Sequence, residues 1–431
     1  MSDTAATAAS ASAEFEHEPV PLSHRKSLFT VSAVWFGFPM ILTNAVPGGL
    51  VVAMLGFWKG VVAILVANAI MFVYVNLLSW RAGRTGKSFS LQAIETFGTA
   101  GYAIASGFLS TVVVGWFAFN TGATGASLSE AFGWNETLIA ALAGIVFIGV
   151  TYLGIRALSV LGAVAAPLFI VAVLIAVGIA ARDHDFSAVF DYAGVGADAM
   201  SFGVAVTAIM ATFADSGTMT ADFTRWARTG RQAVVATVTA FPIASLVAQL
   251  SGALFVAAGA IALPAENGGN FAPILTGTGN PVLNVFLLVF VVINLGSVCT
   301  HCLYNGALGW SHLTRSTMRL LTLVLGVIGV AVAVLGAWHY FVNWLALLGV
   351  LVPPLGAVLI ADQIILARRN AGRPATRFRV SALLAWAIGA AAALLSHFFA
   401  PALSDAVVGL VAGCLAYLAL EQLSPKKENT R

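Results

Sequence analysis

Charge is scarce in this sequence. Only 9% of its 431 residues are Asp, Glu, Lys or Arg, against about 25% in water-soluble globular chains, so the soluble class is excluded. Cysteine is scarcer still, and three residues build no disulfide framework. A formal net charge of +3 is too small for electrostatic capture of a phosphate backbone, which excludes a nucleic-acid partner. What is abundant is apolar: 59% of the side chains are hydrophobic and the mean hydropathy is +0.93. That content excludes a disordered chain. It leaves an all-α polytopic membrane protein whose length fits one domain of about a dozen spanning helices.

Twelve apolar segments are long enough to span a bilayer: 28–55, 58–80, 100–129, 136–156, 159–181, 200–223, 231–261, 281–310, 318–336, 339–366, 379–399 and 403–423. Charged or Pro/Gly-rich stretches separate them, such as Arg81-Ala82-Gly83-Arg84 and Arg368-Arg369-Asn370. Residues 1–27 are small, polar and acidic and carry no cleavable signal pattern. They read as a disordered cytoplasmic tail, matched by a second polar tail over 425–431, with one transporter domain (28–424) between. If the N-terminus is cytoplasmic, only Lys59 and Arg182 of the 21 basic residues fall outside. The acidic cluster Asp183, Asp185, Asp191 and Asp198 also falls outside. That bias is what the positive-inside rule requires of twelve helices in an inner (plasma) membrane with both ends cytoplasmic.

Two spans have interrupted interiors. Thr43-Asn44-Ala45-Val46-Pro47-Gly48-Gly49 lies within the first, and Ala214-Asp215-Ser216-Gly217-Thr218 within the sixth. Pro removes a backbone donor and Gly tolerates non-helical angles. Unwound backbone at membrane depth persists only where protein or water covers it. Breaks five helices apart, at matching positions, point to an inverted-repeat transporter with its site between them, the repeats running over 28–181 and 200–366 and two extra helices over 379–423. The plainer reading is a kink at Pro47 and a close helix contact at Gly217.

Asp215 is the one carboxylate placed deep inside a span, where a charge is expensive and marks a functional site by default. Three roles are open to it: holding a cation, carrying a proton or hydrogen-bonding a substrate amine. Trp116, in Val114-Gly115-Trp116-Phe117, and Phe213 are aromatic candidates for stacking a planar ligand. Asn294, Ser297 and His301 follow i, i+3, i+7 spacing on one face of the eighth helix. They suit a polar ligand edge or a cation, and equally interhelical hydrogen bonding. Asp222 and Asp362, at inner helix ends, read as partners of Arg225 and Arg368-Arg369 or as solvated ends. Cys299-x-x-Cys302 lies within one apolar helix and is a weak metal signal. No phosphate loop, zinc motif or nucleophile constellation is present, so neither an enzyme nor a resident cofactor is expected.

Several strings resemble the purine–cytosine permease branch of the nucleobase–cation symporter-1 family. They are Pro19-Val20-Pro21-x-Ser23-x-Arg25-Lys26, Val114-Gly115-Trp116-Phe117, Phe213-x-x-Ser216-Gly217-Thr218-x-Thr220-Ala221-Asp222-Phe223-x-Arg225, and Asn294 with Leu303-Tyr304-x-x-x-Leu308-Gly309. Pro353-Pro354-x-Gly356-x-x-x-Ile360-Ala361-Asp362 completes the set. The resemblance implies a LeuT-like five-plus-five inverted repeat with two C-terminal helices, and alternating access around a central site. It implies a monomer importing a nucleobase or similar heterocycle, cytosine being the model, with hydroxymethylpyrimidine, a purine or allantoin as alternatives and a channel as a distant one. Trp116 and Phe213 correspond to the rings that sandwich the base, with Asp215, Asn294, His301 and Gly217 as further substrate contacts. The coupling cation is Na+ or H+. A sodium site would draw on Gly37, Ile41 and Ser297, with Asn294 and Asp215 as further cation contacts. The departures fall in the same places: Ser297-Val298 replaces two hydroxyl residues, Cys299-Thr300-His301 replaces a polar Asn-Asp stretch, and Asp215 replaces a small serine. They imply that the ligand differs from cytosine and leave protons open beside sodium as the coupling ion.

Overall fold

The computed structural model describes residues 14–195, 200–276, 279–370 and 372–423. The first thirteen residues, Asp198 and the expected tail over 425–431 lie outside the described residues. Among those described, the secondary structure is helical, with one isolated bridge between Lys26 and Ala227.

Among the described residues, eight helices are long and apolar enough to cross a membrane: Phe57–Thr85, Tyr102–Phe132, Ile155–Ala180, Gly230–Ala257, Pro281–Thr314, Asn343–Ile365, Val380–Phe399 and Asp405–Leu423. Shorter apolar helices, Leu42–Leu55, Glu136–Tyr152, Phe202–Ala211 and Met318–Val334, supply the remaining elements. Together they follow the twelve expected segments in order. Short helices that hydropathy does not reveal are Phe89–Phe97, between the second and third spans, and Pro264–Asn267 with Ala272–Thr276, between the seventh and eighth.

The first span is broken, but not where its glycines suggest. Helix runs over Leu28–Phe36 and resumes over Leu42–Leu55, so the unwound stretch is 37–41 rather than 43–49. Pro39 is the cause, since it lacks a backbone donor and disfavours helix at Phe38. The Asn44 side chain then donates to Pro39 O (2.8 Å). Pro47 sits within the second helical piece. Gly48 serves packing, because a Cβ there would overlap the backbone of Gln249 on the seventh span. The sixth span breaks where expected. Phe213 leaves helical angles (φ −137°, ψ 16°), Ala214–Thr218 forms one isolated turn, and the chain bends again at Met219.

Residues 14–27, expected to be disordered, are instead docked across the end of the bundle that carries the N-terminus. Arg225 donates to Phe15 O (2.8 Å) and Glu14 O (2.7 Å). Tyr304 O–H donates to Glu14 Oε2 (2.8 Å), and the Ile155 N–H, which opens the fifth span, donates to Oε1 (3.2 Å). A carboxylate at a helix N-terminus meets unpaired donors and the positive end of the helix dipole. Gly154 makes room for it: its φ is +82°, and a Cβ would overlap Glu14 Oε1. Glu16 accepts from Met318 N–H (3.0 Å) at the start of the ninth span. Arg25 donates to Gly83 O (2.5 Å) and Ala227 O (3.1 Å). The segment is polar yet ordered because each charged group has a helix end to satisfy.

Asp362 differs from expectation as well. Its ion-pair partners are Arg373 (3.7 Å) and Arg379 (3.9 Å), not Arg368-Arg369, because the chain after residue 372 folds back over it. Asp222 accepts from Phe89 N–H (2.8 Å) and so anchors the helix Phe89–Phe97.

Burial raises the Glu14 carboxyl above its ordinary 4.5, opposed by the Tyr304 hydrogen bond and the Arg225 charge. A raised value in the docked state means that docking holds the proton more tightly than the free chain does. The contribution is therefore full below about pH 4.5 and falls as pH rises through the docked value. Tyr304→Phe removes one donor from a buried carboxylate and is expected to weaken docking by about 1–3 kcal/mol. Limited proteolysis of the N-terminal segment, followed over pH, reads both effects. Equal cleavage rates in wild type and variant would contradict them.

Candidate functional site

Between the breaks lies a small, nearly closed cavity of about 10 Å3, lined by Phe38, Ile41, Thr43, Trp116, Asn120, Thr212, Phe213, Ser216, Val298 and Cys302. Trp116 and Phe213 come from the third span and the sixth-span break, and both face this one space. Phe38 packs edge-on against Phe213 (centroids 5.1 Å apart). Asn120, one turn beyond Trp116, donates to Trp116 O (2.9 Å) and accepts from Thr43 O–H (2.8 Å). A planar ligand would meet aromatic faces in this cavity, with hydroxyl and amide groups at its edge.

On the side away from the N-terminus the cavity is capped by rings. Phe119 and Phe341 stack at 4.7 Å, and Phe341 also meets Trp116 at 5.9 Å. Beyond this pair opens a vestibule of about 350 Å3 lined by Glu130, Glu266, Asn267 and Trp338 among others. Thr43 lines both spaces.

The other sequence candidates sit around the cavity rather than in it. Asn294 clamps the first-span break, its Nδ2 donating to Met40 O (2.9 Å) and its Oδ1 accepting from Leu42 N–H (2.8 Å). Ser297 O–H donates to Gly37 O (3.1 Å), so two of the expected cation contacts meet across the first and eighth spans. Ile41 begins the second piece of the first span and lines the cavity. His301 Nε2 bonds Val34 O (2.8 Å), Nδ1 lies 2.5 Å from Ser297 O, and the ring stacks on Phe38 at 4.9 Å. Both of its nitrogens are occupied by backbone. Gly217 faces Met71 and Val75 of the second span, where its missing side chain permits close approach.

Asp215 lies behind the cavity wall, next to the lining residue Ser216. It is fully buried, and its Oδ1 accepts from Ser216 N–H (2.7 Å). The Trp116 indole is close enough to interact with its carboxylate, yet Oδ2 and Trp116 Nε1 both lack a completed hydrogen bond. An orphaned acceptor beside an orphaned donor is costly in a dry interior. Thr43, Asn120, Phe119, Phe341 and Cys302 were not singled out from sequence. Asn120, at i+4 from Trp116, carried the one usable signal.

A family model described as "Permease for cytosine/purines, uracil, thiamine, allantoin" matches residues 19–419. The chain belongs to this permease family. Cytosine permease of Escherichia coli K12 is 29% identical over 420 residues, covering 96% of this chain and 95% of that protein. The fold is shared with Mhp1, a nucleobase-cation-symport-1 family transporter solved closed with bromovinylhydantoin bound. There the TM-score is 0.79 at 19% identity, and 94% of each chain is covered. It is shared also with a Na+-coupled sialic acid symporter in a substrate-bound outward-open state (TM-score 0.69, 13% identity, 93% and 91% of the two chains). This permease is thus a multi-pass membrane transporter of the LeuT-like fold with interrupted first and sixth spans, and not an enzyme.

Asn294→Ala in this permease would strip two backbone groups at the break of their partners. Each buried unsatisfied group costs about 1–3 kcal/mol. Thermal unfolding in detergent is expected to show a loss of several degrees, with Asn294→Asp restoring the acceptor alone and falling between. An unchanged midpoint for the alanine variant would contradict the clamp.

Proposed function

We propose that the chain is a cation-coupled symporter that imports a nucleobase or nucleobase-like heterocycle across the plasma membrane by alternating access. One observation carries the reading: Trp116 and Phe213, from different spans, line one cavity between the two broken helices. A base stacked between them gains about 1–3 kcal/mol per aromatic partner, while Asn120, Thr43 and Ser216 are placed for its polar edge. With the N-terminal face cytoplasmic, Phe119 and Phe341 are the outer gate and the docked residues 14–26 close the inner side. Substrate reaches the rings from the vestibule when Phe341 swings away, and leaves when the docked segment releases.

Coupling follows from differential affinity, since a cation shifts the conformational equilibrium only if it binds one state better. The seam where Ser297 meets Gly37 supplies oxygens from both the first and eighth spans. Val298 supplies none, which favours protons over sodium as the coupling ion.

The test is a thermal-shift panel on purified protein with cytosine, uracil, adenine, hypoxanthine, hydroxymethylpyrimidine and allantoin, each in sodium and in choline chloride. A ligand at about 100 times its Kd stabilises by about 2.7 kcal/mol. At least one heterocycle is expected to raise the midpoint in both salts, and Trp116→Ala to weaken it about tenfold or more. Stabilisation only in sodium would assign that ion. No shift with any heterocycle would overturn the nucleobase reading and leave the transporter fold.

A further inference from the structure

A separate cavity, of about 380 Å3, lies at the end of the bundle that carries the N-terminus. Its wall residue Arg81 stands just before Gly86, whose carbonyl accepts from Val20 N–H (2.9 Å). Three guanidinium groups line it: Arg81 from the end of the second span, and Arg373 and Arg379 from the connection between the tenth and eleventh spans. Glu95, on the helix Phe89–Phe97, and Asp362, at the end of the tenth span, line it too. Both carboxylates are already satisfied. Glu95 pairs with Arg81 (3.1 Å) and with Lys87. Asp362 accepts from Thr96 (2.7 Å), Asn370 (2.6 Å) and Tyr417 (2.6 Å). Arg373 has its own partner in Glu421.

Arg379 is the exception. It is only 8% exposed, yet its guanidinium makes no hydrogen bond among the described residues. The nearest carboxylate oxygen, Asp362 Oδ1, stands 3.9 Å from its Nη1 and is shared with Arg373 at 3.7 Å. A guanidinium carries five N–H donors in a planar fork and cannot shed its charge, so burying one without acceptors is costly. Two further features add positive potential at the same place. Arg379 is the N-cap of the helix Val380–Phe399, which no side chain caps, so the positive end of that helix dipole lies beside it. The chain between Asp362 and Asp405 also carries Arg368, Arg369, Arg373, Arg377 and Arg379 with no Asp or Glu among them. Phe378 and Val380, apolar and exposed, flank Arg379 and set it at the boundary between apolar surface and water.

We infer that this cavity is a binding site for a phosphate group, held by the Arg379 guanidinium with Arg81 and Arg373 in the surrounding wall. A phosphate offers several acceptor oxygens, so it fills the fork of one arginine and still accepts from another. Two sources present that chemistry at this depth, the headgroup of an anionic phospholipid and a soluble phosphate ester. Basic pockets between spans at the cytoplasmic face suit the first. A bound phosphate ties the end of the second span to the start of the eleventh and stabilises the arrangement of both. The two cavities share no lining residue, so this site stands whatever heterocycle the transporter carries.

The experiment uses full-length protein purified in detergent and stripped of lipid, with the thermal unfolding midpoint read at constant ionic strength. Phosphatidylglycerol is titrated in mixed micelles beside diacylglycerol of the same chains, which lacks the phosphate. Glycerol 1-phosphate and inorganic phosphate are titrated separately against chloride. A saturable rise is expected with phosphatidylglycerol and not with diacylglycerol, or with the soluble phosphates and not with chloride. A response to the lipid alone assigns the headgroup, and a response to glycerol 1-phosphate assigns a soluble ester. Arg379→Gln is expected to weaken the apparent affinity about tenfold or more, with Arg379→Lys recovering part of the loss. Arg81→Gln is expected to weaken it as well and serves if Arg379→Gln does not fold. Arg377→Gln, at an exposed position outside the cavity, is expected to leave it unchanged. No saturable response to any phosphate, an equal response to diacylglycerol, or a wild-type response in both Arg379→Gln and Arg81→Gln would overturn the inference. So would a loss in Arg377→Gln as large as in Arg379→Gln, which is the mark of a diffuse basic surface.

Discussion

The binding region depends on one clamp, the Asn294 side chain bridging Met40 O and Leu42 N–H across the gap in the first span. Backbone without helical partners is ruinous at membrane depth. One amide holds both an acceptor and a donor there, as a paired strand would. Because the clamp holds residues 37–41 out of the helix, Phe38 reaches His301 and Phe213, and Ile41 reaches the cavity. The same opening turns the Gly37 carbonyl toward Ser297. The proposed substrate and cation regions therefore share a structural origin.

The two ends of the path are closed by different physics. Stacked Phe119 and Phe341 seal one end, a contact of modest strength that a ring rotation undoes. The other end is held by hydrogen bonds from Arg225, Tyr304 and Ile155 to Glu14. These bonds join the sixth span to the fifth and eighth, so any motion that separates those spans must first break them. The central cavity is thus closed by rings toward the vestibule and by hydrogen bonds on the other side.

Much of this was legible in the sequence, and the misses have physical causes. Hydropathy delimits the twelve spans because bilayer thickness sets their length. The sixth-span break was readable because Ser216-Gly217-Thr218 flanks a carboxylate. The first-span break was displaced because glycine density at Gly48-Gly49 serves close packing against Gln249, while a single Pro39 does the unwinding. Trp116 and Phe213 could be named, whereas Phe341 could not, since nothing in its local pattern shows that it folds over Trp116. Docking of the N-terminal segment was invisible because its acidic residues are polar in sequence and satisfied only by helix ends far along the chain. Asn294 and His301 are recognisable as polar groups on one face, but only the fold commits them to backbone.

Cys302 gives the most direct test of where the ligand sits, since it lines the cavity and no residue need be introduced. Its alkylation by a small maleimide can be followed by mass spectrometry in the presence and absence of a saturating heterocycle. If a ring stacks between Trp116 and Phe213, ligand slows modification of Cys302 severalfold in the wild type but not in Trp116→Ala, while Cys414 reacts at an unchanged rate. Equal Cys302 rates with and without a heterocycle known to bind would place the ligand elsewhere and contradict the account.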